Sequence, residues 1–307
     1  MPRRLLLLLA GLFAALWIFG ERGHLLRPST RRWMREAGWR RLLSLSFWEA
    51  YIYSRWSNQY IGWSIRYYFP FLRPVEGKQR WARVYHGKVL TTALAEALIT
   101  INQPIRWDLE QIIPFPVARD LVLSGPPDIA VYDCPCRSAR ANPCQPTRVC
   151  MIVGQPFVDF VLEHNPGSSQ RLTQTEAVEL LRAEHARGHL HAAYFREVML
   201  NRFYAICNCC KCCCGGIEAM VKCGAPMVIA SGYVAQVDAA RCQACGTCAD
   251  ACPFGAIHVD GTSHVTWEAC MGCGICESQC PQDAISLVLD ARKVPPLDVR
   301  KLAAPEA

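Results

Sequence analysis

Eight cysteines between residues 242 and 281 constrain this chain more than any other feature. They form two runs of one pattern, Cys242-x2-Cys245-x2-Cys248-x3-Cys252-Pro253 and Cys270-x2-Cys273-x2-Cys276-x3-Cys280-Pro281, with 17 residues between Cys252 and Cys270. Three thiols two residues apart wrap a short loop around three corners of a compact object, while the fourth, just before a proline, opens a turn aimed elsewhere. Proline fixes φ and offers no donor, so each loop ends cleanly. Gly246 and Gly274 follow the second cysteine of each run, where a residue without Cβ lets the backbone turn its N–H groups toward sulfur. A zinc site would use four ligands per ion and gives no reason for the prolines or the three-plus-one doubling.

The spacing is that of the four-iron run in which the fourth cysteine ligates the other cluster. It predicts two 4Fe-4S clusters, one on Cys242, Cys245, Cys248 and Cys280, the other on Cys270, Cys273, Cys276 and Cys252. Short β-type runs flank them at Tyr233 to Val237, Ala256 to Val259, Val265 to Trp267 and Ala284 to Val288. These predict two small hairpins and two helices about a pseudo-twofold axis. On these residues the stretch 233–289 resembles a bacterial dicluster ferredoxin domain. The resemblance implies single-electron exchange with redox partner proteins, docking at the loops around Cys245 and Cys273.

The chain holds 19 cysteines in 307 residues, an odd number that disulfides alone cannot absorb. Eleven lie outside the doubled motif: Cys134, Cys136, Cys144 and Cys150, then Cys207, Cys209, Cys210, Cys212, Cys213 and Cys214, with Cys223 beyond. Six thiols within eight residues cannot all reach one small cluster, because adjacent side chains diverge; Cys207 with Cys210, or Cys209 with Cys212, are the pairs expected to cooperate. Cys134, Cys136, Cys144, Cys150, Cys207 and Cys210 are the candidate ligands of a further iron–sulfur cluster or metal. Redox-active thiols and inert buried thiols are the alternatives. Arg137 and Lys211 would offset thiolate charge. The pairing of CPCR (134–137) with CNCC (207–210) is similar to a group of larger bacterial ferredoxin-domain proteins with a cysteine-rich N-terminal part. That likeness, over residues 85–289, implies iron–sulfur electron transfer and no specific reaction. So many thiols suit a reducing compartment.

Charge is uneven. Residues 1–85 carry 15 Lys and Arg against 4 Asp and Glu, whereas the rest carries 18 against 22. Leu5 to Gly20 is uncharged, shorter than the roughly 20 residues of a full span, and flanked by Arg3 and Arg4 before and by Arg22, Arg27, Arg31, Arg32, Arg35, Arg40 and Arg41 after. An uncleaved anchor or interfacial helix, a processed signal and a buried helix all remain open. The heavier positive flank places the bulk of the chain on the cytoplasmic side of a membrane. Residues 47–71 carry eleven aromatics, from Phe47 to Phe71, which suit either the headgroup level of a bilayer or packing against the protein. The basic arm is read as meeting a membrane surface or a membrane redox partner, with no nucleic acid involved.

Apolar residues at 51% and charged ones at 19% exclude a mainly disordered chain. In the middle, Thr91 to Thr100 reads as helix, Asp108 to Glu110 as a helical turn ended by Pro114 and Pro116, Ala118 to Leu123 as a helical piece, and Ile129 to Tyr132 as a buried strand. Thr173 with Glu176 forms a capping box for a helix stopped by Gly188. His185, His189 and His191 are expected as exposed or core histidines. No glycine-rich dinucleotide or phosphate loop and no nucleophile elbow occurs. The expected fold is α+β: a hydrophobic anchor or interfacial helix (1–24), a basic aromatic membrane-proximal region (25–84), a cysteine-rich α/β domain (85–228), a dicluster ferredoxin domain (229–290) and a tail (291–307). The expected function is relay of single electrons through the two clusters at the membrane surface, as a carrier or electron-transfer subunit. The alternative is a cluster-dependent reductase whose active centre is held by the 134–150 and 207–214 cysteines.

Overall fold

The computed structural model describes residues 26–68, 85–108, 120–124 and 126–302, together with Glu21 and a few helical residues between 7 and 15. Helices α1 (Pro28–Ala37), α2 (Trp39–Leu42), α3 (Leu45–Arg55) and α4 (Ser57–Trp63) come first, the last continued by a π turn. The body runs β1 (Tyr85–Leu90), α5 (Thr92–Thr100), β2 (Pro104–Asp108), β3 (Asp120–Ser124), β4 (Ile129–Asp133), α6 (Pro135–Ser138), β5 (Arg148–Val153), α7 (Phe157–His164), β6 (Ser169–Leu172), α8 (Gln174–Ala186), β7 (Leu190–Arg196), β8 (Arg202–Cys209), α9 (Gly215–Cys223) and β9 (Val228–Ile229). The C-terminal part adds β10 (Tyr233–Val237), α10 (Thr247–Ala251), β11 (Ile257–Asp260), β12 (Thr262–Val265), α11 (Ile275–Ser278), β13 (Ile285–Leu289) and α12 (Val299–Leu302).

The body is one sheet in the order β6-β4-β5-β8-β7-β1-β9, with β2 joined to β3 and β3 to β8. Most of its pairings are antiparallel, β1 with β9 and β3 with β8 being parallel, so the architecture is α+β. Strand alternation splits the core into two layers. On β7, Leu190, Ala192 and Tyr194 face one layer, while Ala193 and Phe195 face the other. Helices cover both faces, and β7 is accordingly buried along its whole length. Thr91 caps α5 by accepting from the Leu94 N–H, and the capping box of Thr173 and Glu176 opens α8 as expected.

The aromatic segment divides. Phe47, Tyr51 and Tyr53 turn inward with Trp33 to pack on α7, where Trp33 meets Phe160 edge-on with centroids 4.9 Å apart. Trp63, Tyr67 and Tyr68 stay exposed, and Phe69 and Phe71 lie outside the described residues. No helix among the described residues is long and apolar enough to cross a membrane. The expected N-terminal hydrophobic helix therefore finds no support there, and most of 1–25 lies outside them.

One local expectation changes and one is not reached. The piece expected as helix at 118–123 is instead strand β3 from Asp120, pairing Leu123 with Ile105; an apolar run this short fits either state, and a sheet partner decides it. The helical turn expected after Asp108 lies in residues 109–119, outside the described residues. After β13 the chain returns to the body: Leu297 and Val299 are fully buried beside Leu94 and Leu98. The fully buried Lys88 donates from Nζ to the Pro295 carbonyl at 2.8 Å. Lys88 also stands opposite Ile229 in the β1–β9 pairing.

Candidate metal centres

The doubled motif closes around two cavities with the ligand sets read from spacing. Cys242, Cys245, Cys248 and Cys280 line one, with Ser263 and Pro281; Cys252, Cys270, Cys273 and Cys276 line the other, with Pro253 and Leu287. Thiolate quartets converging on two separate spaces fit two cubane clusters. The halves repeat in detail. Helices α10 and α11 start at Gly246 and Gly274, with φ of 83° and 82°. The Ala256 N–H donates to Cys252 Sγ and the Ala284 N–H to Cys280 Sγ, each at 3.3 Å. The expected pair of hairpins is one hairpin, β11 with β12, plus a pairing of the outer strands β10 and β13.

The halves differ in surroundings. A Cβ on Gly272 would fall 2.1 Å from the Tyr233 carbonyl oxygen and 2.5 Å from Ser231 Oγ, whereas its counterpart is Ala244. Cys245 is exposed, and the Thr262 hydroxyl, the Ala244 amide and the Ser263 hydroxyl around Cys242 hold its thiol down at about 6. On the other side, burial pushes Cys273 up to about 12. Cys273 and Ile275 belong to the same buried layer as Cys209 and Cys214 of the body. The Cys273 loop, expected as a docking edge, is therefore buried against the chain's own body. Gln279 Nε2 bonds the Ala186 carbonyl at 3.2 Å and Lys211 Nζ the Asp250 carbonyl at 2.6 Å, tying the two parts together.

Six of the other cysteines form a ring. Their thiols neighbour one another in turn: Cys134 beside Cys136 and Cys150, Cys136 beside Cys214, Cys214 beside Cys209, Cys209 beside Cys207, and Cys207 beside Cys150. Register explains why. β4, β5 and β8 are neighbours, with Tyr132 opposite Cys150 and Met151 opposite Ile206. Cys207 and Cys209, two apart on a strand, face the same way. Cys134 and Cys214 sit at the N-caps of α6 and α9. Bonds from Cys136, Cys150 and the Arg137 amide hold Cys134 well below the usual thiol range, and bonds from Cys136, Cys209 and the Ile217 amide do so for Cys214. Cys136 and Cys150 are pushed up because each gives its S–H to Cys134 and is buried. The ring lines a cavity with Tyr53, Tyr132, Tyr194, Arg137 and Cys210.

Cys210 also borders that cavity, whereas Cys144 does not. Their sulfurs converge with those of Cys212 and Cys213, and Cys144 and Cys212 are joined as a disulfide. The pairs expected from spacing, Cys207 with Cys210 and Cys209 with Cys212, are thus split between two groups, because the chain turns off the strand after Cys209. Of the two ring members missed, Cys209 was signalled only by the two-residue period of a strand the sequence did not reveal, and Cys214, the N-cap of α9, by no period at all.

Arg137 is fully buried behind the ring. It donates through Nη2 to Glu184 Oε2 at 2.8 Å and to the Asn208 carbonyl at 3.2 Å, and through Nη1 to the Pro146 carbonyl. Burial pushes the Glu184 carboxyl up, but bonds from His189 and Arg137 outweigh it and hold the group below its ordinary range. His191 is fully buried, its Nδ1 2.6 Å from Asn208 Oδ1. The histidines expected to be structural include these two core members, His189 and His191.

The family model of the 4Fe-4S binding domain matches residues 235–258 and 264–286. No curated protein and no solved structure compared with the chain matches it. The two adjacent matches span both quartets, and residues 235–286 are accordingly a dicluster ferredoxin-like domain with two 4Fe-4S clusters as its cofactors.

Proposed function

We propose that the whole chain is an iron–sulfur electron-transfer protein in which the ferredoxin-like domain exchanges single electrons with a partner at its Cys245 side and with a further cluster in the six-thiol ring at its Cys273 side. One observation carries this reading: the buried Cys273 loop packs in the same layer as Cys209 and Cys214. When bound, the clusters store and release one electron at a time. The chain's own residues tune that process through hydrogen bonds to sulfur, burial and nearby charge. Iron and sulfide counting with paramagnetic resonance of the reduced protein tests it. Three iron–sulfur centres are expected, falling to two in Cys134→Ser/Cys136→Ser; a wild-type count of two defeats the third centre.

The ring has more thiols than one cubane has corners, and tyrosines and Arg137 enclose its cavity, which favours a second reading as a reductase with substrate bound there. In that case Cys134→Ser/Cys136→Ser abolishes turnover of an acceptor while the ferredoxin-like domain keeps its two clusters. Exposed Trp39, Leu43 and Leu45 beside Arg40 and Arg41 support attachment to an anionic membrane surface, with the body on the cytoplasmic side. Flotation with anionic vesicles should carry the protein upward, and Trp39→Ser/Leu43→Ser/Leu45→Ser should leave it behind; equal flotation of both would remove this part of the reading.

A further inference from the structure

The second thiol group differs from the ring and from the ferredoxin quartets in its spacing. The Sγ atoms of Cys144, Cys210, Cys212 and Cys213 all lie within 4.8 Å of one another. Metal–sulfur bonds of about 2.3 Å in a tetrahedron put sulfurs about 3.8 Å apart. A four-iron cube places a separate iron under each thiolate, so its ligand sulfurs stand farther apart than those around a single ion. Among the described residues, neither ferredoxin quartet nor the six-thiol ring draws three thiols within that mutual distance. The tight group is therefore sized for one ion.

We propose that Cys144, Cys210, Cys212 and Cys213 form a mononuclear tetrathiolate site for one divalent, thiophilic metal ion, zinc or ferrous iron. The surroundings are built for it. The Cys144 N–H donates to Cys213 Sγ at 3.4 Å, as amides do around thiolate ligands. Arg140 grips the Cys213 carbonyl through Nε at 3.1 Å and Nη2 at 3.0 Å, and pairs with Glu218 of α9. Four thiolates on a divalent ion leave a net charge of −2, which Arg140 and Lys211 stand next to in the chain and the fold. Cys210 and Cys213 are buried, Cys144 is half-buried and Cys212 is exposed, so an ion can enter from the Cys212 side.

Occupancy requires all four sulfurs as thiolates. The Cys144–Cys212 disulfide spans 7.5 Å between Cα atoms, beyond the usual range of about 4.4–6.8 Å. Its reduction takes two electrons from an added phosphine, which becomes the phosphine oxide with the oxygen of water, and two protons from that water, to give two thiols; metal binding then displaces thiol protons. Bound, the ion would join the loop after α6 to the turn after β8. Lys211 in that turn holds the Asp250 carbonyl at the end of α10.

The test uses the full chain, reduced with a phosphine and reconstituted without oxygen, with metal and sulfide analysis. One ion beyond the cluster iron, without accompanying sulfide, is expected. Cys212→Ser, at an exposed position, and Cys144→Ser should each lose that one ion while all cluster iron remains. Cobalt(II) offered to protein emptied of this ion should give the visible bands of tetrahedral cobalt thiolate, absent in both variants. Loss of four irons and four sulfides on either substitution, or metal content unchanged by both, overturns the proposal. None of these readouts depends on electron-transfer activity, so the site and the relay can fail separately.

Discussion

Removing one hydroxyl should shift one cluster and leave its neighbour alone. Ser263 is 5% exposed, and its Oγ lies 3.2 Å from Cys248 Sγ and 3.6 Å from Cys242 Sγ. It touches no sulfur of the Cys252, Cys270, Cys273 and Cys276 quartet. A reduced cluster carries one more negative charge than an oxidised one, so a donor aimed at its sulfurs favours reduction. A hydrogen bond to a charged group is worth about 1.5–3 kcal/mol net. Both oxidation states present thiolate sulfur, so only part of that, about 0.5–1.5 kcal/mol, differs between them. At about 59 mV per factor of ten for one electron, Ser263→Ala should lower that midpoint by about 20–60 mV. Protein-film voltammetry or a resonance-monitored titration reads both clusters in one sample, the second serving as internal reference. An unchanged or raised midpoint at the first cluster in a folded variant would refute the tuning role, and an equal fall in both would refute its locality.

Glu184→Gln leaves Arg137 buried without its counter-charge. It should cost about 3–5 kcal/mol, read as a melting temperature lower by about 5–8 °C for a chain of this length, with Arg137→Met added to it restoring part of the loss. Burial lowers His191 from 6.5 to about 4, so the folded chain prefers the neutral ring. That preference contributes fully above pH 6.5 and is lost as pH falls toward about 4, about 3 kcal/mol in all; melting curves of His191→Gln against pH should lack that part of the acid slope. Gly272→Ala drives a Cβ into the Tyr233 carbonyl and should empty the cluster of Cys252, Cys270, Cys273 and Cys276. Gly246→Ala has open space around it and should cost only about 1–3 kcal/mol for its positive φ, with iron retained; equal iron loss in the two variants contradicts this contrast.

The ferredoxin-like quartets were legible because their information is local: spacing, proline and glycine within forty residues specify which thiols share a cavity. The ring was not, because it depends on which strands are neighbours. Cys134 and Cys150 are joined by the β4–β5 pairing, and Cys207 reaches Cys150 only because β8 lies beside β5. Nothing in the run of six cysteines announces that the chain turns after Cys209 and sends three thiols elsewhere. The helix at 174–186 was readable from its capping box, whereas β3 was not, since five apolar-leaning residues carry no period long enough to choose.

Lys88 has a consequence for how the redox module can move. The chain enters the ferredoxin-like domain from Ile229, which pairs with Lys88, and after leaving it lays Pro295 on the ammonium of that same residue. Departure and return are moored at a single point of the sheet, so the module has no long leash at either end. In the relay proposed above, the module would therefore pass electrons from a fixed place; a design in which the domain swings between distant partners would need this knot undone.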